Sequence, residues 1–96
     1  MYHVYLLRSK RNNVFYIGYT GNIEKRLKEH NDGLSGYTKK YIPWELVYCE
    51  SFISLEDAKI REKALKAFGN AYSNLKRRIK NSLFDIDALN RKEGAG

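Results

Sequence analysis

One acidic residue of this sequence lies where an apolar residue is expected. In the helix predicted over residues 55–68, a helical projection puts Glu62 inside the apolar stripe with Ala58 and Leu65. A buried carboxylate costs several kcal/mol unless a cation or a hydrogen-bond donor meets it. Two partners are open: Arg26 in a structural ion pair, or a hard cation such as Mg²⁺ that keeps positions for water and phosphate.

Two further polar residues are four positions apart in the helix predicted over residues 23–31. The projection places Arg26 and His30 on the inward stripe with Ile23 and Leu27, while the charged neighbours face away. Taken singly, an inward Arg can extend its aliphatic stem to solvent, and a His near a helix C-terminus can favour the helix dipole. Together they would project side by side toward the sheet.

Two tyrosines and a glycine belong to a hairpin predicted over residues 2–8 and 14–20. A hairpin loop of even length puts Tyr5 and Tyr16 on one face, with Gly18 opposite or diagonal to Tyr5. Glycine weakens a strand, so its presence indicates a need for space. We expect a hollow over the sheet at Gly18 that a phosphate backbone could enter. The alternative is a cross-strand aromatic pair that packs the core.

Turn residues, caps and periodicity predict the other elements. The segment "WELVYCESF", residues 44–52, has the composition of a third strand. The capping-box pattern "SLED" places Ser54 at the N-cap of the next helix. Gly69 and Asn70 interrupt that helix, and apolar residues at four-residue spacing predict a last helix over residues 71–83.

The order β-β-α-β-α-α predicts an α+β fold in which a three-stranded, mainly antiparallel sheet is covered by helices. We expect one domain over residues 1–82. Residues 83–96 lose the apolar periodicity and end in small residues, so we expect a frayed, poorly ordered tail there.

The composition of the 96 residues favours an anionic partner. Lys and Arg number 18 against 11 acidic residues, which gives a net charge of +7 and a pI near 9.6. Nucleic acid is the first expectation, an anionic membrane the second, and a merely soluble basic protein the third. The single cysteine excludes an internal disulfide, and no apolar run reaches the length of a membrane span. We therefore expect a cytoplasmic protein that does not enter the membrane.

Two groups of residues suit contact with nucleic acid. We expect the loop over residues 33–43, which holds the only proline, to carry Thr38 and its neighbours outward. Basic side chains in this loop and in the last helix could contact backbone phosphates: Lys39, Lys40, Lys76, Arg77, Arg78 and Lys80. Two tyrosines of the loop, Tyr37 and Tyr41, could stack on unpaired bases. Each group could equally be a solvated surface.

Four short segments resemble the motifs of the GIY-YIG nuclease family. They are "HVY" at 3–5, "YIG" at 16–18, "RLKEH" at 26–30 and "REKALK" at 61–66. The first departs from the family name, because His3 and Val4 replace Gly and Ile, but it keeps its tyrosine. The likeness covers residues 2–82 and is greatest to the small stand-alone bacterial members, which are little more than the nuclease domain.

The resemblance implies that the chain hydrolyses phosphodiester bonds with a divalent ion, Mg²⁺ or alternatively Mn²⁺. It implies that Glu62 binds the metal, that Tyr5 is the general base and that Arg26 holds the phosphate. Tyr16 and His30 would orient water or phosphate. A family asparagine corresponds to Asn74 or, alternatively, to Asn70. We expect nearby cations, among them a protonated His30, to lower the pKa of Tyr5.

The implied substrate is DNA, with RNA not excluded, and the implied activity is that of an endonuclease. Since no separate sequence-reading element accompanies the domain, we expect selectivity for branched, flap or single-strand-containing DNA in repair or recombination. We expect a monomer. One alternative is a non-catalytic module that binds nucleic acid on its tyrosine-bearing sheet and basic patches. Another is a basic interaction protein in which Glu62 and Arg26 form only a structural pair.

Overall fold

The computed structural model describes residues 1–95 and, within them, the side chains of residues 1–91. The fold is the expected α+β architecture, with four α-helices in the order β-β-α-β-α-α-α. A short 3₁₀ turn, Thr38–Tyr41, precedes the third strand. The strands and α-helices are β1 Tyr2–Ser9, β2 Phe15–Thr20, α1 Ile23–Asn31, β3 Trp44–Phe52, α2 Leu55–Lys66, α3 Asn70–Arg78 and α4 Lys80–Ala95.

The sheet is antiparallel throughout, and β1 is its central strand in the order β2-β1-β3. Side chains alternate between the two faces of a strand. Val4 and Leu6 therefore enter one apolar cluster, and Tyr5 and Leu7 enter the other. Both faces of β1 are covered, so the Tyr5 side chain lies in the interior rather than on an open sheet surface.

Helices cover the two faces unequally. Ala58 and Leu65 of α2, Leu75 of α3 and Ile79 at the junction of α3 and α4 belong to the cluster around Val4, and Leu83 of α4 packs against it. On the opposite face, α1 and the 3₁₀ turn pack against Tyr5, Leu7 and Trp44 through side chains that include Ile23, Leu27 and Tyr41. Because the candidate residues come from both layers, they can meet only around the edge of the sheet that β2 forms.

The C-terminal segment differs from the expected tail, because residues 83–95 continue as α4. Leu83 and Ile86 pack against the core. The buried Arg8 side chain pairs with Asp87 at 2.7 Å on this helix, and Arg8 needs such a partner since an unpaired buried charge is costly.

The expected helix over residues 71–83 is in fact two helices, which meet at Ile79. Residue 96, the end of the expected tail, lies outside the described residues. The domain boundary at residue 82 stays a prediction, and it falls within α4. None of the described helices combines the length and the apolar character that crossing a bilayer requires.

Candidate active site

Gly18 makes room for a phenol. It pairs directly with Tyr5 across the β1–β2 ladder, and a Cβ atom at this position would lie 2.6 Å from Tyr5 Cζ. Real side chains do not approach so closely, so the Tyr5 ring occupies the space over the glycine. The expected hollow for a phosphate backbone is therefore wrong. The glycine instead lets the Tyr5 hydroxyl extend across the sheet toward the β2 edge.

The Tyr5 hydroxyl belongs to a directed chain of hydrogen bonds. Tyr5 Oη lies 2.9 Å from His30 Nε2, and His30 Nδ1 lies 2.7 Å from Thr38 Oγ1. Thr38 Oγ1 donates its proton to the Ser35 carbonyl at 3.3 Å. Because a hydroxyl has one proton, Thr38 must accept from His30 Nδ1–H. The other ring nitrogen, Nε2, is then an acceptor, and the Tyr5 proton points at it.

The pKa values of this pair differ from the expectation. Burial, aided by the charge of Arg26, lowers the pKa of His30 to about 4, so the imidazole is neutral near pH 7. Burial also raises the pKa of Tyr5 to about 12; Arg26 opposes this shift, while Tyr16 and Glu62 add to it. The predictions of a protonated His30 and a lowered Tyr5 pKa are therefore wrong for the protein's own groups.

Arg26 brings a positive charge to the Tyr5 hydroxyl while keeping free donors. Its guanidinium donates to Glu29 and Ser35, each at 3.3 Å, and its side chain is one-third exposed at 33%. Hydrogen bonding and charge from the nearby Arg26 guanidinium act to lower the pKa of Tyr5. A guanidinium has five N–H donors in a planar fork, so Arg26 can still bind an oxyanion.

Glu62 is shielded from solvent, as its place in the apolar stripe predicts. Its side chain is 14% exposed and pairs with Lys66 one helical turn later, at 3.2 Å. Within residues 1–95 the ion pair between Glu62 and Arg26 does not form, because Arg26 pairs with Glu29. Lys66 Nζ lies 5.7 Å from the centre of the Tyr16 ring, so this side of α2 faces the tyrosines.

The donor set fits a metal that is held mainly by water and substrate. In the part of the chain that the structure describes, no three His, Cys, Asp or Glu side chains converge to form a complete ligand cage. Mg²⁺ commonly binds through one or two carboxylates and keeps several waters. Glu62 is a hard oxygen donor beside the candidate base, so the residues present fit such an ion.

Asn74 lies on the other flank of α2. Arg61 bonds to Glu50 of β3, whereas its neighbour Glu62 faces the tyrosines. Asn74 lines a groove of about 670 Å³ on the Arg61 flank, together with Ala71, Leu75, Arg77 and Arg78. The structure thus places Asn74 apart from the other five predicted site residues, which it brings together: Tyr5, Tyr16, Arg26, His30 and Glu62. The alternative residue, Asn70, is exposed at the start of α3.

Of the predicted nucleic-acid contacts, Tyr37 and Tyr41 lie near Tyr16, while Arg77 and Arg78 line the groove that holds Asn74. The Tyr37 ring stacks on Tyr16 with centroids 6.2 Å apart, and Tyr41 lies 5.5 Å from Tyr37. Lys76 lies over the Phe15 ring at 4.5 Å. The exposed residues of this set are Tyr37, Lys39, Lys40, Arg77, Arg78 and Lys80, whereas Tyr41 and Lys76 are half-buried.

Two residues near the site carry roles that sequence reasoning missed. Thr38 was expected to point outward, but it is fully buried because it bonds to His30, and its carbonyl accepts from Trp44 Nε1. Lys66 was not singled out. Its spacing of four from Glu62 could have indicated the ion pair, whereas Thr38 lies in an aperiodic loop that gives no signal.

This sheet, with a phenol, a guanidinium and a carboxylate gathered at its edge, defines a GIY-YIG catalytic domain, whose family model matches residues 1–73. The chain belongs to the GIY-YIG family, and its function is accordingly nuclease-like. It is similar to small UPF0213 proteins of bacteria and archaea. One from Bacillus licheniformis is 43% identical over 65 residues, 67% of each chain. One from Halobacterium salinarum is 36% identical over 72 residues, 74% of this chain and 92% of the relative.

A solved structure supports the same fold. The solution NMR structure of a UPF0213 protein from Bacillus halodurans superposes with a TM-score of 0.51 at 30% sequence identity. The match covers 83% of this chain and 86% of that one. The predicted family and fold class are therefore confirmed.

Proposed function

We propose that this protein is a divalent-metal-dependent DNA endonuclease that prefers branched, flap or single-strand-containing DNA and acts in repair or recombination. The observation that carries the proposal is the Tyr5 hydroxyl, which lies 2.9 Å from His30 Nε2 and is close enough to Arg26 and Glu62 for their charges to act on it. Family membership supports a nucleic-acid substrate and a divalent ion. The finer assignments of DNA, of the metal Mg²⁺ or Mn²⁺, and of a cytoplasmic monomer are proposals.

In the proposed reaction, Arg26 binds the non-bridging oxygens of the scissile phosphate through its unused N–H groups. A metal bound at Glu62 would add positive charge toward those oxygens. A water molecule attacks phosphorus and gives one proton to the Tyr5 oxygen, while the Tyr5 proton passes to His30 Nε2. The bond from phosphorus to the 3′ oxygen breaks, and that oxygen takes a proton from solvent.

In this relay Tyr5 does not have to ionise before the attack, and His30, whose lowered pKa of about 4 makes it a weak base, holds the proton only until it passes to solvent. A Tyr5 that had to ionise first would be almost entirely protonated at neutral pH, because its pKa is about 12. When one proton arrives as another leaves, the buried oxygen never carries a full negative charge. Thr38 accepts from His30 Nδ1–H and so directs the Nε2 lone pair at Tyr5 until the proton is transferred.

The test is cleavage of a panel of labelled DNA structures with and without Mg²⁺. The panel contains a perfect duplex, a flap, a branched junction and a single strand. We expect metal-dependent cuts, which Glu62→Ala and Glu62→Gln lower by about 100-fold or more. Glu56→Ala is the matched control, because Glu56 is on the same helix with a side chain that is 76% exposed. Wild-type protein that cuts none of these DNAs contradicts the proposal.

The aromatic contacts among Tyr16, Tyr37 and Tyr41 favour a second candidate, a module that binds nucleic acid without cutting it. The same Glu62→Ala variant separates the two. Binding alone survives or tightens when a carboxylate is removed from a phosphate site, whereas cleavage is lost. The remaining alternative, a basic interaction protein with a structural Glu62–Arg26 ion pair, loses its support because Arg26 pairs with Glu29 and Glu62 pairs with Lys66.

A further inference from the structure

A small aromatic pocket adjoins the candidate active site. Its volume is about 230 Å³, and its lining residues are Phe15, Tyr16, Ile17, Tyr37, Lys66 and Phe68. Tyr16 is shared with the candidate site, and Lys66 is the residue that pairs with Glu62. The pocket is therefore next to the candidate active site, at the edge of the sheet that β2 forms.

Phe68 is held in an unfavourable backbone conformation at the mouth of this pocket. Its φ of 55° lies in the left-handed region, which bulky residues rarely adopt. Glycine and asparagine are the residues usually found there after a helix. The Phe68 side chain nevertheless packs against Tyr72 with ring centroids 4.8 Å apart, and the residue stays 56% exposed. Strain of this kind persists mainly at ligand-binding and other functional sites.

The pocket offers flat apolar faces and one positive charge. Tyr37 and Phe68 are each 56% exposed, so their rings are accessible to a planar ligand. Lys66 supplies an ammonium within 5.7 Å of the Tyr16 ring centre. A ligand with an aromatic plane joined to a phosphate matches both features, because bases stack on aromatic side chains and phosphates attract lysine.

We propose that this pocket binds one unpaired nucleobase of the substrate next to the scissile phosphate, with Lys66 contacting the adjoining backbone phosphate. The inference rests on the proposed function and narrows its substrate to strands with at least one unstacked base. A base inside a duplex is stacked on both faces and cannot enter without unpairing. Phe68 would thus select which DNA structures bind, and it would take no part in the reaction itself.

The experiment measures binding without catalysis. A short oligonucleotide with one 2-aminopurine is titrated with protein in EDTA, and both the dissociation constant and the quenching of the probe are recorded. Phe68→Gly removes the stacking face but suits a positive φ, so its melting temperature is expected to hold or rise. We expect binding to weaken by about 10-fold or more, with loss of quenching. Tyr37→Leu is a second variant, expected to act in the same direction.

Ile53→Ala is the matched control, since Ile53 is an apolar residue that is 85% exposed and outside the pocket. Equal binding and quenching by Phe68→Gly and wild type would overturn the inference. Equal quenching with the probe base-paired in a duplex would overturn it too. If the oligonucleotide binds and depends on Phe68 but no DNA is cut with Mg²⁺, the endonuclease proposal fails and the pocket stands.

Discussion

Thr38 Oγ1 lies 2.7 Å from His30 Nδ1 and fixes which ring nitrogen carries the proton. The tautomer follows from counting donors, because Thr38 already gives its only proton to the Ser35 carbonyl. The loop between α1 and β3 thereby orients the His30 ring, whose other nitrogen contacts Tyr5 of the sheet. A residue outside every recognised motif thus sets the direction of the Tyr5 proton.

Thr38→Val is expected to disturb this tautomer while preserving shape. The buried Nδ1–H would lose its acceptor, so the ring would populate the other tautomer and face Tyr5 with a donor. We expect the ¹⁵N shifts of His30 to report the exchange and cleavage to fall about 100-fold. Thr38→Ser retains the hydroxyl and should retain both signals. An unchanged His30 spectrum in Thr38→Val would remove Thr38 from the mechanism.

Gly18→Ala is expected to lower the free energy of unfolding by about 1–3 kcal/mol, because overpacking forces buried side chains to move. The new methyl group would meet the Tyr5 ring, which has little freedom since Tyr5 is 3% exposed. Urea denaturation measures the loss. Adding Tyr5→Leu should recover part of it, whereas Gly21→Ala, where a Cβ meets nothing within 4 Å, is the control. Equal effects of the two alanines would contradict the close packing.

The stability of the protein should depend on pH through His30. Its pKa falls from 6.5 in the unfolded chain to about 4 in the folded protein, so below pH 6.5 the unfolded state binds more protons. The free energy of unfolding should therefore decrease as pH falls from 6.5 to 4, by on the order of 3 kcal/mol. Denaturation at several pH values measures this slope. His30→Gln should flatten it, and a wild-type curve without the slope would contradict burial of a neutral imidazole.

Asp87→Asn is expected to destabilise the protein because it deprives the buried Arg8 of a charged partner. Glu45, at 3.2 Å from Arg8, remains as a second partner, so we expect a loss of about 1–3 kcal/mol. The melting temperature and amide exchange of α4 are the measurements. Asp85→Asn, an exposed position on the same helix, should change neither. Equal behaviour of the two variants would show that α4 is held by apolar contacts alone.

Elements with strong periodicity or caps were predictable from sequence. The hairpin, the third strand, α1 and the start of α2 at the Ser54 cap follow from local patterns, and Glu62 stands out because it breaks one. The fate of the C-terminal segment was not predictable in this way. Its helix packs on the core through Leu83 and Ile86 and pairs Asp87 with Arg8, which is far away in sequence, and contacts between distant residues leave no local pattern.

The geometry around Tyr5 escaped prediction for a related reason. The sequence indicates that Gly18 creates space but not which group fills it, since ring placement depends on packing from both sides of the sheet. The direction of the pKa shifts likewise depends on burial, which exists only once the core is assembled: burial outweighs the opposing effect of Arg26 at Tyr5, and it acts in the same direction as the charge of Arg26 at His30.

Tyr5 and Arg8 occupy opposite faces of the same central strand. Arg8 lies three residues along the strand from Tyr5, the proposed base. A fragment cut at residue 82 would lack Asp87, so Glu45 would be the one remaining partner of the Arg8 charge among the residues that the structure describes. Anyone designing a shortened form of this protein or a fusion at this end should therefore keep the last helix intact.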